Sequence, residues 1–187
     1  MKIVVVAGTN REGARSRAVA GAIADRYAAI EGIELTLLDL ATLPTELFTP
    51  GAYSEKPAAY KPFADAVVSS DGLHIVTPEY NGGMPGALKL FIDHLPFPES
   101  FERRPVCFTG VASGRWGALR PIEQLQGVFG YRNAYQLPDR VFITGASRVL
   151  DESGWPTDDF LRNMLTAQIE HFVAFCRALK PLRPSAD

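Results

Sequence analysis

Short runs of β-branched and aliphatic residues alternate with longer segments of helical periodicity along this chain, and that alternation constrains the fold more than any other feature. Ile3-Val4-Val5-Val6 is a continuous apolar run, as expected of a strand buried on both faces. Ile33–Leu38, Leu73–Thr77, Pro105–Val111 and Arg140–Thr144 read as four further strands. Apolar residues at helical spacing fill the intervals. Val19, Ile23, Tyr27 and Ile30 share one face, and Gly32 closes that helix. Asp39–Lys56 reads as loop, after which Pro57 opens a helix carrying Tyr60, Phe63, Ala64, Val67 and Val68. Leu88, Ile92 and Leu95 mark the third helix, and Ile122, Leu125 and Val128 the fourth. A last long helix spans Asp158–Leu179, with Leu161, Leu165, Ile169, Phe172 and Cys176 inward. Five strands alternating with helices imply an α/β three-layer sandwich, a parallel sheet with helices on both faces. Right-handed crossovers leave few topologies, and the order 2-1-3-4-5 is the natural one for five strands. No repeat or linker divides the chain, so residues 1–187 are expected to form a single domain. Ligands of such sheets bind beyond the carboxyl ends of the strands, which directs attention to the loops after strands one, three and four.

The charge balance removes several function classes. Lys and Arg number 19 against 21 Asp and Glu, for a net charge of −2. That gives no electrostatic case for nucleic-acid binding, and no basic amphipathic block points to a membrane surface. No apolar run approaches the roughly 20 residues needed to span a bilayer. Two cysteines, Cys107 and Cys176, are too few for a disulfide scaffold or zinc cluster and are expected to be buried hydrophobes. His74, His94 and His171 lack ligand spacing, so structural roles and no metal site are expected. The N-terminus lacks the pattern of a secretory signal, and the expected location is cytoplasmic.

Three loops carry the chemistry. Gly8-Thr9-Asn10-Arg11-Glu12-Gly13-Ala14-Arg15-Ser16-Arg17 joins the first strand to a helix N-terminus, where unpaired amides and the helix dipole favour an anion. Thr9 and Ser16 offer hydroxyls, and Arg11, Arg15 and Arg17 offer cations suited to a phosphate monoester. The plainer reading is a helix start capped by Ser16 with solvated arginines. Gly8 and Gly13 have the glycine spacing of a P-loop, but Ala14-Arg15 follows where Lys then Ser or Thr is required. Asn10 breaks the G-x-G-x-x-G dinucleotide fingerprint. After strand three, Pro78-Glu79-Tyr80-Asn81-Gly82-Gly83 combines close backbone approach with an aromatic face and an amide, which suits a heteroaromatic ring with polar edges. A Gly-Pro turn whose tyrosine only packs is the plainer alternative. The third loop is Ala112-Ser113-Gly114-Arg115-Trp116-Gly117.

At these residues the chain resembles the NAD(P)H-dependent FMN reductases of flavodoxin-like fold, a group that includes quinone, azo-dye and chromate reductases. Gly8, Thr9, Arg11, Gly13 and Ser16 match Gly-Ser/Thr-x-Arg-x-Gly-x-x-Ser. Pro78 to Gly82, Pro85, Gly86, Leu88, Lys89, Ile92 and Asp93 match Pro-Glu-Tyr-Asn-Gly-x-x-Pro-Gly-x-Leu-Lys-x-x-Ile-Asp. The resemblance runs from Met1 to about Asp139. It implies that Thr9, Arg11 and Ser16 bind the FMN phosphate, with Asn10 in the same loop and amides from Ala14 and Arg15. It implies that Pro78, Glu79, Tyr80, Asn81 and Gly82 line the isoalloxazine, with Ser113, Gly114 and Arg115 close to it. Trp116 is bulkier than the small residue of the family pattern, which leaves three readings: stacking on a ring, contact with a neighbouring subunit, or packing on its own surface. The implied activity is hydride transfer from NADPH or NADH via bound FMN to a small acceptor such as flavin, quinone, azo compound or chromate. No side chain is expected to act as a nucleophile. A homodimer or homotetramer is expected, with Phe91 to Phe101 and the surroundings of Trp116 as candidate contacts. The alternatives are a flavodoxin-type electron carrier without reductase activity and a flavin-independent phosphoryl-binding protein. The three arginines of the first loop and a pI of about 5.9 count against the carrier, whose kind is strongly acidic.

Overall fold

The computed structural model describes residues 1–182, so residues 183–187 of the expected domain lie outside the described residues. Five strands form one parallel sheet in the order β2-β1-β3-β4-β5. They are β1 (Lys2–Ala7), β2 (Glu34–Asp39), β3 (Gly72–Pro78), β4 (Pro105–Val111) and β5 (Tyr135–Ile143). The helices are α1 (Arg15–Ala28), α2 (Lys61–Ser69), α3 (Gly86–His94), α4 (Leu119–Tyr131), α5 (Ala146–Val149) and α6 (Asp159–Leu179). This is the expected architecture and order.

Alternation along the strands divides the core. Ile3, Val5 and Ala7 join α1 and α6 on one face. Val4 and Val6 join α2, α3 and α4 on the other. The central strands β3 and β4 are buried at every residue, which is why they read as mainly apolar segments, with His74, Thr77 and Thr109 as the polar exceptions. Cys107 and Cys176 are both buried, as expected.

The element bounds differ from expectation where local chemistry misleads. β5 begins five residues before Arg140, at Tyr135. Pro138 signals a break, yet β5 is an edge strand and its register against β4 shifts between Val106 and Phe108. An edge tolerates a missing ladder donor. Helix α1 ends at Ala28 with Ala29 as its cap, so Ile30 and the positive-φ Gly32 belong to the following turn. Pro57 precedes a 3₁₀ turn, Ala58–Tyr60, and α2 itself starts at Lys61 with Pro62 in its first turn. Three short 3₁₀ turns order Leu40–Tyr53 within the expected loop. Helix α5 has only four residues, too few to show periodicity.

A polar chain crosses the core beneath β3 and β4. The Tyr27 hydroxyl meets His74 Nδ1 at 3.0 Å, and His74 Nε2 meets Thr109 Oγ1 at 2.8 Å. Thr109 donates to Gln168 Oε1 at 2.6 Å, which ties the sheet to α6. Burial pushes the His74 pKa down to about 3, so the folded protein keeps this imidazole neutral. The unfolded chain takes up that proton near pH 6.5, so stability is complete above this value and falls as pH drops from there towards the folded-state pKa. We expect His74 to contribute a loss of about 1.4 kcal/mol per pH unit between about pH 6 and 4. Denaturant unfolding of wild type and His74→Gln across that range measures it: the variant's slope should be shallower, and equal slopes would refute the assignment.

Candidate functional site

The β1–α1, β3–α3 and β4–α4 loops meet at the carboxyl edge of the sheet, where β1 and β3 adjoin and the direction of winding reverses. They enclose a cavity of about 460 Å³. That volume lies in the range of about 300–1,000 Å³ usual for small-molecule sites.

The first loop leaves β1 with the Gly8 amide donating to Val76 O at 2.8 Å, so the chain hugs β3 before turning. Helix α1 starts at Arg15 with extended Ala14 as its cap and no side-chain capping bond. The Arg15 and Ser16 amides precede the first intrahelical bonds, which run from Arg17 and Ala18 to Ala14 O. Ser16 lies past the cap position, so its hydroxyl does not cap the helix. Its Oγ is buried and has no hydrogen-bond partner among the described residues. Arg11 and Arg15 line the cavity, and neither forms an ion pair among the described residues. Arg17 does not join them: it pairs with Asp39 at the end of β2.

The second loop is a tight turn. Tyr80 and Gly83 exchange two backbone hydrogen bonds of 3.0 Å each. Asn81 (φ 51°) and Gly82 (φ 78°) hold the two left-handed positions that a type I′ turn requires. Helix α4 fastens this turn from the far side. Arg120 Nη1 donates to Glu79 Oε1 at 2.9 Å, and the Met84 amide donates to Gln124 Oε1 at 2.9 Å. The second Glu79 oxygen is buried without a partner among the described residues. The third loop lies on its own strand. A Cβ on Gly110 would fall 2.2 Å from Gly117 O, so only glycine permits that approach.

The structure brings Arg11, Ala14, Arg15, Ser16, Pro78, Glu79, Tyr80, Gly82, Ser113 and Gly114 to the cavity wall. It leaves Thr9, Asn10, Asn81 and Arg115 outside it. Thr9 is fully buried, its hydroxyl sharing a 2.7 Å hydrogen bond with the Tyr80 hydroxyl and accepting from the Arg11 amide at 3.1 Å. It therefore joins the first two loops instead of facing the cavity. Asn81 stands exposed at the tip of its turn, where backbone conformation accounts for its identity. Asn10 and Arg115 are exposed as well. The wall also includes Gly13 and Ala112 from the loops singled out in the sequence, Trp116, for which stacking on a ring is one of three readings, and Val111 and Ala146, to which sequence reasoning gave no site role. The strand end at Val111-Ala112 was a usable signal. Ala146, on the unforeseen α5, offered none.

The donors are therefore gathered at one end: two free guanidinium groups, helix N-terminal amides and an orphaned hydroxyl, the set that a phosphate monoester satisfies. At the other end, the glycine-bearing turn and the Ser113-Gly114 segment present backbone to a flat group. The residues present fit FMN. The pattern of the family described as NADPH-dependent FMN reductase matches residues 1–148. The chain belongs to that family.

Members of the NADPH-dependent FMN reductase family are enzymes that work with FMN and NAD(P)H, and membership sets aside the electron-carrier reading. An NADPH azoreductase of Bacillus sp. (strain OY1-2) is 33% identical over 145 residues, 78% of each chain. A quinone reductase of Pseudomonas putida is 30% identical over 182 residues, 94% of each chain. Among solved structures, FerB, a flavoenzyme NAD(P)H:(acceptor) oxidoreductase of Paracoccus denitrificans, has the same fold. Its TM-score is 0.79 at 22% identity, over 95% of this chain and 97% of that one. Among the described residues, no helix is long and apolar enough to cross a membrane, and no cluster of three or more His, Cys, Asp or Glu could hold a metal.

Proposed function

We propose that this cavity is the FMN site of an NAD(P)H-oxidising enzyme whose electron acceptor is a small quinone or azo compound. The observation that carries the reading is Ser16: a buried hydroxyl beside helix N-terminal amides and two guanidinium groups, with no hydrogen-bond partner for the hydroxyl and no carboxylate paired to either guanidinium among the described residues. Arg11, Arg15 and Ser16 would hold the phosphate. The Pro78–Gly82 backbone and Ser113-Gly114 would flank the ring, with the Glu79–Arg120 pair fixing the turn. FMN, when bound, supplies the redox chemistry, and the protein supplies position and electrostatics. The acceptor class is supported by the quinone reductase that aligns almost end to end and by the azoreductase. A cytoplasmic homodimer or homotetramer is part of the proposal.

Anaerobic addition of NADPH to FMN-loaded protein should bleach the flavin absorbance, and a quinone should restore it. No bleaching by NADPH or NADH would defeat the reading. Ser16→Ala gives a test with opposite signs. Losing an unsatisfied buried hydroxyl should stabilise the ligand-free protein by about 1 kcal/mol. The same change should weaken FMN binding about tenfold, through one lost phosphate hydrogen bond. Thermal melts with and without FMN report both, and a variant that is destabilised yet binds FMN normally would remove Ser16 from the site.

A further inference from the structure

We propose that Trp116 is the stacking wall for the electron acceptor, so that the enzyme selects planar, electron-poor aromatic acceptors over compact inorganic oxidants. The inference rests on the cavity reading above and adds the residue that determines acceptor specificity. Trp116 lines the cavity with 53% of its surface exposed, whereas Trp155 is only 8% exposed. An indole left this open on a cavity wall has unused contact area.

Its backbone is firmly seated. The Leu119 amide donates to Trp116 O at 2.9 Å, which ties the residue to the first turn of α4. The next residue, Gly117 (φ 55°), lies so close to β5 that a Cβ would sit 2.8 Å from Phe142 Cβ. Ala118 (φ 65°) is completely buried. The Arg120 guanidinium lies 5.9 Å from the indole centroid and is itself held by Glu79. A side chain on so fixed a mount loses little freedom when it stacks, which is what makes rigid aromatics effective contact surfaces.

The electron-rich indole face favours an electron-poor planar ring, such as a quinone or the ring of an aromatic azo compound. Ferricyanide has no face to offer. The reduced nicotinamide ring is electron-rich and not aromatic, so it gains less from the same wall.

The test uses oxidised, FMN-loaded protein with duroquinone, whose ring carbons are all substituted and add no thiol. Equilibrium dialysis measures binding with no electron transfer. Trp116→Ala should weaken duroquinone binding and raise its KM about five- to tenfold. Trp116→Phe, which keeps a ring, should recover most of the loss. The KM values for ferricyanide and NADPH should stay within about twofold, since neither gains the stacking contact. An unchanged duroquinone affinity would overturn the proposal. So would an equal loss for ferricyanide, a loss confined to NADPH, or a loss that tracks subunit dissociation by light scattering, which would make Trp116 a contact between copies. Failure of the cavity reading looks different: wild-type protein would then neither retain FMN nor reduce ferricyanide with NADPH.

Discussion

Replacing Arg11 and Arg15 together by alanine should lower FMN affinity about a hundredfold or more, from two charge-assisted contacts of about 1.5–3 kcal/mol each, and should leave riboflavin within about threefold. The asymmetry follows from the anion, which only FMN carries. Both guanidinium groups border the cavity without a carboxylate partner among the described residues, so their charge is available to a ligand. Arg17 is the internal control. It stands in the same stretch of sequence but pairs with Asp39, so Arg17→Ala should change FMN affinity far less. The α1 amides and Ser16 remain in the double variant, which should leave residual, salt-sensitive binding. Fluorescence titration of both flavins against wild type and variants measures the effect. Equal losses for FMN and riboflavin would mean that the phosphate lies elsewhere.

Gly110→Ala is expected to have a large effect on stability. The new Cβ would sit 2.2 Å from Gly117 O, 3.0 Å from Ile122 Cδ1 and 3.1 Å from Ala118 Cβ. A backbone carbonyl cannot rotate away as a side chain can, so the third loop must lift from β4. Overpacking of this kind costs about 3 kcal/mol or more. For a chain of this size, that lowers Tm by about 6–12 °C. The displaced loop carries Ser113 and Gly114, so FMN affinity should fall too. Gly114→Ala is the contrast. Nothing lies within 4 Å of its added Cβ, so Tm should hold, although the methyl borders the cavity. Similar melting temperatures for Gly110→Ala and wild type would contradict the packing described.

The strands buried on both faces were legible because burial leaves a mainly apolar run, continuous in Val4-Val5-Val6 and broken only by Thr109 in Pro105–Val111. Strand order followed from the handedness of crossovers rather than from any residue. The start of β5 was obscured by Pro138, whose missing donor an edge strand accommodates. At the site, residue type was the guide, and it left two readings open wherever one type serves two purposes. Asn81-Gly82 reads equally as a polar ligand pair and as a type I′ turn, and the backbone angles show the turn. Thr9 offers a hydroxyl, but Tyr80 and the Arg11 amide use it. The commitment of Arg17 to Asp39 depends on a contact 22 residues away in sequence, beyond the reach of a local pattern. Ser16 is the reverse case: its motif position was visible, while its burial without a partner emerges only from the packing of α1.

The crystal structure of this protein with FMN is the most direct measurement of where the cofactor lies. The phosphate should accept hydrogen bonds from the α1 N-terminus and Ser16, with Arg11 and Arg15 beside it, and the ring should rest between the Tyr80–Gly83 turn and the Ser113-Gly114 segment. Density placing the phosphate away from Ser16, or FMN outside this cavity, would contradict the account.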